Sequence, residues 1–487
     1  MKKVFSILFL FFTSIGCTNH LLDVQKIDML PDIYPKYTNI VIPPNIAPLN
    51  FMFTAPPEAG VVYFKNGDSE LKVESSRNVE ISINEWKNLV DSGDSISITV
   101  FLKRQNKWFE YQSFFWKIAK EPIDAYLSYR LIEPGYEVYN TIQLCERNIE
   151  NFEVSILADN NLTNGSCMNC HIYGPKSNNI SFFHLRGDKG GGTILNRNGK
   201  LQKYNLKTEG MISPAVYGDL HPDRELGVFS SNKIIPELHA YGSRKLEVYD
   251  LASNVFVVDF QDNCLYSTPL LSNDDNLETF PTFNAKGDAI YFCTAPKVIL
   301  PDSIESLKYS LCKIQFDPET ISFGEKVDTL IDGAESGLSV SHIKASPDGK
   351  FLLYSVSDYG TFPIWHAETD LNMLELASGK IDKLKNVNDK YSDSYHSWSS
   401  NSRWFVFASK RDDGIYGKPY FCYVDSKGRA HKPFVLPQKN PAFYENTLKS
   451  FNIPELSNFP ANFNAMDIEK IFKRAITINV KQKYVSE

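Results

Sequence analysis

The stretch that decides the fold is SPDGKFLLYS, residues 346–355. Pro347 presets the backbone for the first corner of a tight turn, and Gly349 supplies the positive φ that completes it. The residues that follow alternate, with Phe351 and Leu353 pointing to the same side of the chain. The stretch therefore predicts a tight turn that leads directly into a β-strand.

The same pattern, a polar turn followed by an alternating strand, occurs four times in the second half of the chain. The units HPDRELGVFS, NAKGDAIYFC, SPDGKFLLYS and SSNSRWFVFA begin at residues 221, 284, 346 and 399. Their spacings of 63, 62 and 53 residues suit four short antiparallel strands per unit. The run 180–206 has the glycine and Asn-Gly turns of a further hairpin set. The repeats predict an all-β fold with a β-propeller of five or six blades over residues 179–440.

The segment before the propeller also has the pattern of β-structure. Residues 30–155 contain five or six short alternating runs, among them GVVYFKNG and SISITVFLKR, which predict a β-sandwich domain. The stretch SINEWKNLVDSG predicts one short helix, with Ser82 and Glu85 as a capping box. Residues 156–178 are then a junction between the sandwich and the propeller.

The segment after the propeller is short. Residues 441–487 predict a C-terminal extension with a short helix over 464–474. The run AITINV, 475–480, is a candidate for the strand that closes a sixth blade.

Two of the repeat units also resemble a known family. SPDGKFLLYS and HSWSSNSRWFVFAS resemble TolB-like propeller repeats, and the match covers roughly residues 178–440. Nearly the whole chain is similar to a bacterial lipoprotein family of cytochrome-c-associated TolB-like proteins. The stretches that carry this similarity are YTNIVIPPNIAPLNF, RLIEPGY, GSCMNCH, FFHLRG, PIWHAETDL and SKRDDGIYGKPYF. The resemblance implies an architecture and no defined biochemical activity.

The N-terminus predicts export. A basic start precedes an apolar run over residues 4–12 that is too short to span a bilayer. The run ends in SIGC, which resembles a lipobox and predicts a signal peptide, 1–17, with acylation at Cys17 and a linker over 18–29. An ordinary secretory signal with a chance cysteine is the alternative. Thr18 stands where inner-membrane retention needs aspartate, so we expect an outer-membrane lipoprotein that faces the periplasm, with the cell surface as the alternative location.

Composition limits the partners. The net charge is −7 with both signs mixed, which argues against binding to nucleic acid or to an anionic membrane surface. Membrane contact is therefore expected only through the lipid anchor. Besides Cys17 there are seven cysteines at wide spacings, and an odd number of this kind is not a disulfide framework.

Sequence motifs of known enzymes are missing. The stretch SGLSVSH, 336–342, does not fit the G-x-S-x-G pattern of hydrolases. Gly190, Gly191 and Gly192 lack the lysine of a phosphate-binding loop. We therefore expect a protein that is not an enzyme.

The motif with the most specific chemistry is SCMNCHIY, residues 166–173. Cys167, Cys170 and His171 form C-x-x-C-H, in which two thiols bind the vinyl groups of haem and the histidine becomes the proximal iron ligand. Export agrees with this interpretation, since haem is attached outside the cytoplasm. The motif predicts one covalently bound haem c. A disulfide or a zinc site is the alternative, and zinc would need a fourth ligand that no second C-x-x-C provides.

A second axial ligand is also needed. His184, in SFFHLRG, follows His171 by thirteen residues and is the candidate distal ligand, with Met211 as the alternative. The histidines inside or beside the repeat strands are expected to be structural; these are His342, His366 and His396. His366, in PIWHAETD, is also a candidate for lining the propeller channel.

Two functions of different classes remain open. The first is a lipid-anchored propeller with one c-type haem that transfers or senses electrons with a redox partner. The second is a binding scaffold whose propeller funnel holds a cell-envelope protein, a peptide or a glycan. Because propellers host many unrelated functions, the fold alone does not choose between them.

Overall fold

The structure is a computed structural model in which strands dominate. It describes residues 24–134, 139–174, 177–187, 190–239 and 245–484, with only the backbone of 177–179 and 484. The predicted signal peptide and Cys17 lie outside these residues. The prediction of an all-β propeller fold is confirmed. Among the described helices, none is long and apolar enough to cross a membrane.

The N-terminal domain consists of two sheets around an aromatic core. The larger sheet contains Val24–Ile27, Lys107–Tyr111, Ser95–Arg104, Phe114–Ile118, Ile40–Ile42, Ala59–Asn66 and Ser69–Glu74. The smaller sheet contains Ile33–Tyr34, Phe51–Phe53 and Asn78–Val79. Phe51 of the smaller sheet meets Trp116 of the larger one edge to face, with ring centroids 6.4 Å apart. The helix Ile83–Val90 begins at the predicted capping box of Ser82 and Glu85.

Among the described residues from Tyr126 onward, six sheets with four antiparallel strands each form the blades of a propeller. The first strand of each sheet contacts the first strands of both neighbours, which closes a ring around a central channel. We number the blades in ring order and give the strands from the inner to the outer.

Blade 1 contains Ser450–Ser457, Tyr126–Ile132, Gln143–Asn148 and Val154–Asp159, and blade 2 contains Cys167–Gly174, Ser177–Arg186, Gly192–Arg197 and Lys200–Asn205. Blade 3 contains Ala215–Leu220, Leu226–Leu238, Leu246–Asp259 and Cys264–Ser267, and blade 4 contains Asn276–Phe283, Ala289–Pro296, Ser310–Asp317 and Ser322–Ile331. Blade 5 contains Ser339–Ala345, Phe351–Ser357, Asp370–Glu375 and Lys380–Asp382, and blade 6 contains Asp393–Trp398, Trp404–Ser409, Lys418–Tyr423 and Phe434–Val435.

Short elements decorate the ring. The strands Thr477–Asn479 and Lys481–Tyr484 pair in parallel with the outer strands of blades 2 and 3. The α-helices besides Ile83–Val90 are Gly333–Ser336, Phe443–Asn446 and Ala465–Arg474, and the 3₁₀ turns are Asn160–Thr163, Ile304–Ser306 and Pro363–Trp365. The helix Ala465–Arg474 lies within the predicted 464–474.

The strand that closes the ring is not the expected one. Residues 475–480 were a candidate, but Ser450–Ser457 supplies the inner strand of blade 1, and Tyr126–Ile132 pairs with it. One strand from the C-terminal end thus completes a blade whose other three strands come from the N-terminal side. Pro454 interrupts the alternation of the closing strand, so its sequence resembles a loop.

The domain bounds also differ from expectation. The propeller begins at Tyr126–Ile132 and not at residue 179, because the last strands of the expected sandwich belong to blade 1. The expected junction, 156–178, contains the end of blade 1 and the inner strand of blade 2, Cys167–Gly174. Short alternating strands have the same pattern in a sandwich and in a blade, so periodicity does not separate the two domains.

The sandwich packs on the closure of the ring. Its core is continuous with buried residues of blades 1, 5 and 6. Tyr37 donates a hydrogen bond from its hydroxyl to the carbonyl of Val435 at 3.2 Å. The indole of Trp404 donates to the carbonyl of Glu121 at 2.9 Å. These contacts join the sandwich and the segment that follows it to blade 6.

Candidate functional site

A cavity of about 370 Å³ lies at the centre of the propeller. The inner strands of all six blades contribute to its wall. One lining residue from each blade, in ring order from blade 1, is Ile453, Cys170, Tyr217, Phe280, His342 and Tyr395. Its position on the ring axis makes it the candidate site, and its volume falls in the range of small-molecule pockets, about 300–1,000 Å³.

Bulges in the inner strands direct these side chains into the cavity. Each inner strand shifts register against its neighbour near its middle. Five of the six lining residues have a left-handed backbone, with φ between 45° and 54°: Cys170, Phe280, His342, Tyr395 and Ile453. Left-handed backbone is costly for residues other than glycine, and such strain concentrates at functional sites.

Four neighbouring blades build an aromatic collar in the cavity wall. The ring centroids of Tyr217 and Phe280 are 4.3 Å apart, and those of Phe280 and His342 are 4.2 Å apart. The ring of Tyr395 meets His342 edge to face at 4.5 Å. The collar therefore holds the imidazole of His342 between two aromatic rings.

His342 keeps its hydrogen-bonding capacity. Within the described part of the chain, neither ring nitrogen has a hydrogen-bond partner. Burial lowers the pKa of His342 well below its usual range, and the nearby His396 and Lys344 lower it further. The imidazole is therefore neutral at pH 7, with one nitrogen able to donate and the other able to accept.

Two arginines line the cavity on the side of blades 1 and 2. Arg130 is 8% exposed, its Nη1 donates to the carbonyl of Met168 at 3.4 Å, and its Nε has no partner in the described residues. Arg186 donates from Nη2 to the carbonyl of Ala215 at 3.1 Å. Neither guanidinium forms an ion pair with a carboxylate of the described chain. A buried guanidinium with open donors is costly unless an anion satisfies it.

An ionic cluster forms the floor of the cavity. Lys344 Nζ lies 3.7 Å from Glu455 Oε1 and 3.9 Å from Asp219 Oδ1, and the hydroxyl of Thr282 donates to Asp219. Lys344 and Glu455 also line a smaller cavity of about 80 Å³ beyond the floor. Burial raises the pKa of Glu455 to about 7. Near neutral pH the wall and floor of the cavity thus have three cations, of which Lys344 is paired with two carboxyls, Asp219 and the partly protonated Glu455.

The C-x-x-C-H residues do not all face the cavity. Cys167 and Cys170 line it, whereas His171 is 3% exposed and makes a hydrogen bond to the backbone of Ser128 in blade 1. Burial lowers the pKa of His171 to about 3. A c-type haem needs both thiols and the imidazole around one macrocycle. In this strand the two thiols face the cavity, whereas the imidazole points towards blade 1. Covalent haem attachment therefore stays a prediction.

The candidate distal ligands lie elsewhere. His171 points towards blade 1, whereas His184 lies on the other face of blade 2 and points towards blade 3. The ring centroid of His184 is 6.1 Å from that of Phe229, and its Nδ1 is 2.8 Å from Thr193 Oγ1. Met211 packs beside the apolar cluster between blades 2 and 3. Neither side chain lines the cavity, so the structure does not bring His171 and His184 to one metal.

The alternatives for the two thiols have geometric difficulties as well. Cys167 and Cys170 are free, and three residues of strand span roughly 10 Å, whereas a disulfide needs α carbons within about 7 Å. A disulfide would require the strand to move. For zinc, the described residues contain no cluster of three or more histidine, cysteine, aspartate or glutamate side chains suited to a metal.

The repeat histidines separate into two groups. His342 and His396 line the cavity, and His396 Nε2 is hydrogen-bonded to the carbonyl of Leu353 at 2.9 Å. His366, the histidine predicted to line the channel, does not line the cavity, whereas the two expected to be only structural do. This residue lies between Glu247 and Glu368, with nitrogen–oxygen distances of 3.4 and 3.0 Å, and ties the long hairpin of blade 3 to blade 5.

Sequence reasoning missed most of the cavity wall, although one signal was present. In the four repeat units the lining residue stands four positions before the polar residue that starts the turn, as His342 stands before Ser346 and Tyr395 before Ser399. The arginines gave no such signal. Arg130 falls in the range predicted for the sandwich, whereas it lies in blade 1. Arg186 lies on the second strand of blade 2, and the spacing rule applies only to first strands.

Comparisons with known proteins give distant structural likenesses. No protein-family model and no curated protein matches the sequence. The structure of an oligogalacturonate lyase in complex with manganese is 14% identical, with a TM-score of 0.37, over 60% of this chain and 70% of its own. A puromycin hydrolase is 11% identical, with a TM-score of 0.36, over 70% of this chain and 45% of its own. Prolyl oligopeptidase B from Galerina marginata is 8% identical, with a TM-score of 0.35, over 81% of this chain and 52% of its own.

These structures bear on one prediction from the sequence. The expectation that the protein is not an enzyme is contradicted, since all three similar structures are enzymes. The chain spans only about half of the hydrolase and oligopeptidase chains.

Proposed function

We propose that the central cavity binds a small organic molecule that carries an anionic group. The observation that supports this most is Arg130, a buried guanidinium in the cavity wall whose Nε has no partner in the described chain. Arg186 adds a second guanidinium to the same wall. Guanidinium groups bind carboxylates and phosphates through charge-assisted hydrogen bonds, which are the strong ones.

The rest of the wall suits the organic part of such a ligand. Tyr217, Phe280 and Tyr395 present aromatic surface, and binding pockets combine apolar walls with a few polar groups that fix orientation. The neutral imidazole of His342 can exchange hydrogen bonds with a hydroxyl group. We therefore expect a ligand with a ring or chain of carbon atoms and one acid group.

The local charge supports the same ligand. Arg130, Arg186 and Lys344 line the cavity and outnumber the two carboxyls of its floor, Glu455 and Asp219, although the whole chain has a net charge of −7. A cationic cavity in an acidic protein concentrates small anions where low-dielectric walls strengthen the attraction.

The test compares acids with matched neutral molecules. Purified protein is titrated by calorimetry with D-glucuronate, glucose 6-phosphate and benzoate, and with D-glucose and benzyl alcohol as their neutral counterparts. We expect at least one acid to bind and its neutral counterpart to bind at least tenfold more weakly, since a hydrogen bond to a charged group contributes about 1.5–3 kcal/mol. The carboxylate and phosphate probes distinguish the two kinds of anion.

Two variants place the binding in the cavity. Arg130→Gln and Arg186→Gln should each weaken the acid that binds best by about tenfold or more, and Arg130→Lys should restore part of the loss. Arg224→Gln, which removes an arginine paired with Glu319 outside the cavity, is the matched control and should bind like the wild type. Equal affinity for acids and neutral counterparts, or wild-type affinity in both cavity variants, would overturn the proposal.

A further inference from the structure

We propose that His342 exchanges a proton with the molecule bound in the cavity, which makes the cavity a catalytic site. This inference rests on the proposed function, because it needs an anionic ligand beside the imidazole. It goes beyond binding in assigning a chemical step to one side chain.

The placement of His342 fits this role. Neither ring nitrogen has a hydrogen-bond partner in the described residues. The aromatic collar holds the ring in place, with ring centroids 4.2 Å from Phe280 and 4.5 Å from Tyr395. By contrast, the other cavity histidine, His396, has its Nε2 hydrogen-bonded to the carbonyl of Leu353. The strained backbone of His342, with φ 51°, is of the kind that persists where function requires it.

The surroundings of His342 favour the neutral imidazole before a ligand binds. Several titratable or charged side chains pack around His342 or line the same cavity. On blades 1 and 2 these are Arg130, Glu455, Cys167, Cys170 and Arg186, and on blades 3, 5 and 6 they are Tyr217, Lys344, Tyr395 and His396. Those nearest to it are Tyr217, Tyr395, His396 and Lys344, and the carboxyls in the floor are Glu455 and Asp219. Burial and the nearby cation disfavour the imidazolium. A neutral imidazole is the form that accepts a proton.

The proposed step is a proton transfer between the ligand and His342, and it needs no other reactant. A proton leaves an O–H or an acidified C–H bond of the ligand for the open nitrogen of His342, and the bonding electron pair stays on the ligand atom. Arg130 and Arg186 lie in the same cavity and stabilise the negative charge that develops. The imidazolium then returns its proton to the product, or to water, and the histidine is restored.

A ligand anion should also change the protonation of His342, and this is measurable without knowing the substrate. A probe acid that has no such proton to give up leaves the open nitrogen of His342 to take its proton from the buffer. The acid group next to the ring favours the imidazolium, so binding of the probe anion is coupled to uptake of a proton. Affinity should then rise as the pH falls, by up to about tenfold per pH unit for one coupled proton.

The experiment is calorimetry of the best-binding acid from the probe set, in buffers of different ionisation enthalpy between pH 6 and 8. We expect proton uptake by the wild type and a clear reduction of that uptake in His342→Asn, while the variant still binds the probe. Asparagine tolerates the left-handed backbone of this position better than most residues. Glu455→Gln is the second variant, because burial raises the pKa of Glu455 to about 7; it measures the share of the proton uptake that comes from Glu455, so that this share is not assigned to His342.

Histidine NMR spectra of the wild type give a readout that does not depend on how the variant folds. We expect a neutral His342 in the free protein and a rise of its pKa when the acid binds. Equal proton uptake by the wild type and His342→Asn, or a His342 signal that does not respond to the probe, would overturn the inference and leave the binding site intact. If no acid binds at all, the proposed function and this inference fail together.

Discussion

Cys170 and His171 are neighbours in the chain, yet their surroundings differ completely. The bulge that begins after Asn169 turns Cys170 into the cavity and His171 towards blade 1. A sequence motif specifies the residue types and their spacing, but it does not specify where a strand bulges. The capping box of Ser82 and Glu85 could be predicted because it depends only on residues in one turn.

Glu278 gives a prediction at the residue scale. It is 1% exposed, it accepts a hydrogen bond from Asn273 at 2.9 Å, and burial raises its pKa from 4.5 to about 8. Between these values the folded protein holds a proton that the unfolded chain has released. Stability therefore falls as the pH rises from about 4.5 to 8.

Glu278→Gln should remove this loss, because glutamine resembles the protonated carboxyl. Urea unfolding measures the free energy of unfolding of the variant and of the wild type at pH 5 and at pH 8. We expect the stability of the variant relative to the wild type to rise by on the order of 2 kcal/mol between these two pH values. Glu209→Gln, an exposed site, is the control and should run parallel to the wild type. A difference for Glu278→Gln that is independent of pH would contradict the protonated state of Glu278.

At the scale of elements, the repeat predicted the blades and missed their closure. The turn of SPDGKFLLYS forms as expected, with Gly349 at φ 69° and Ser346 Oγ accepting from the backbone of Phe351 at 2.9 Å. The closing strand Ser450–Ser457 lacks this turn and contains Pro454. Its pairing with Tyr126–Ile132 depends on contacts across more than 300 residues, which local patterns do not reveal.

The closing strand should contribute strongly to stability. Phe451 is buried against Tyr129, with ring centroids 4.7 Å apart. Phe451→Ala should lower the free energy of unfolding by about 3–5 kcal/mol, because it leaves a cavity in blade 1, the blade that closes the propeller. Phe459→Ala is the matched control, since Phe459 is 58% exposed, and it should cost less than about 0.5 kcal/mol. Similar small losses for both variants in urea unfolding would contradict closure by this strand.

At the scale of the whole molecule, the sandwich and the propeller share one core at the ring closure. The sequence predicted both folds but placed their boundary too late, since blade 1 takes strands from both sides of the other five blades. The cavity arises only when all six inner strands meet. The set of residues that lines the cavity therefore could not be predicted from any one repeat, whereas the propeller fold could.

The proposed binding site is tested most directly by a crystal structure of the protein with the acid that binds best. We expect the ligand in the central cavity, with its acid group within about 3 Å of the guanidinium of Arg130 or Arg186 and its remaining atoms near His342. A ligand bound outside the channel, or a cavity filled by haem attached to Cys167 and Cys170, would contradict the proposal.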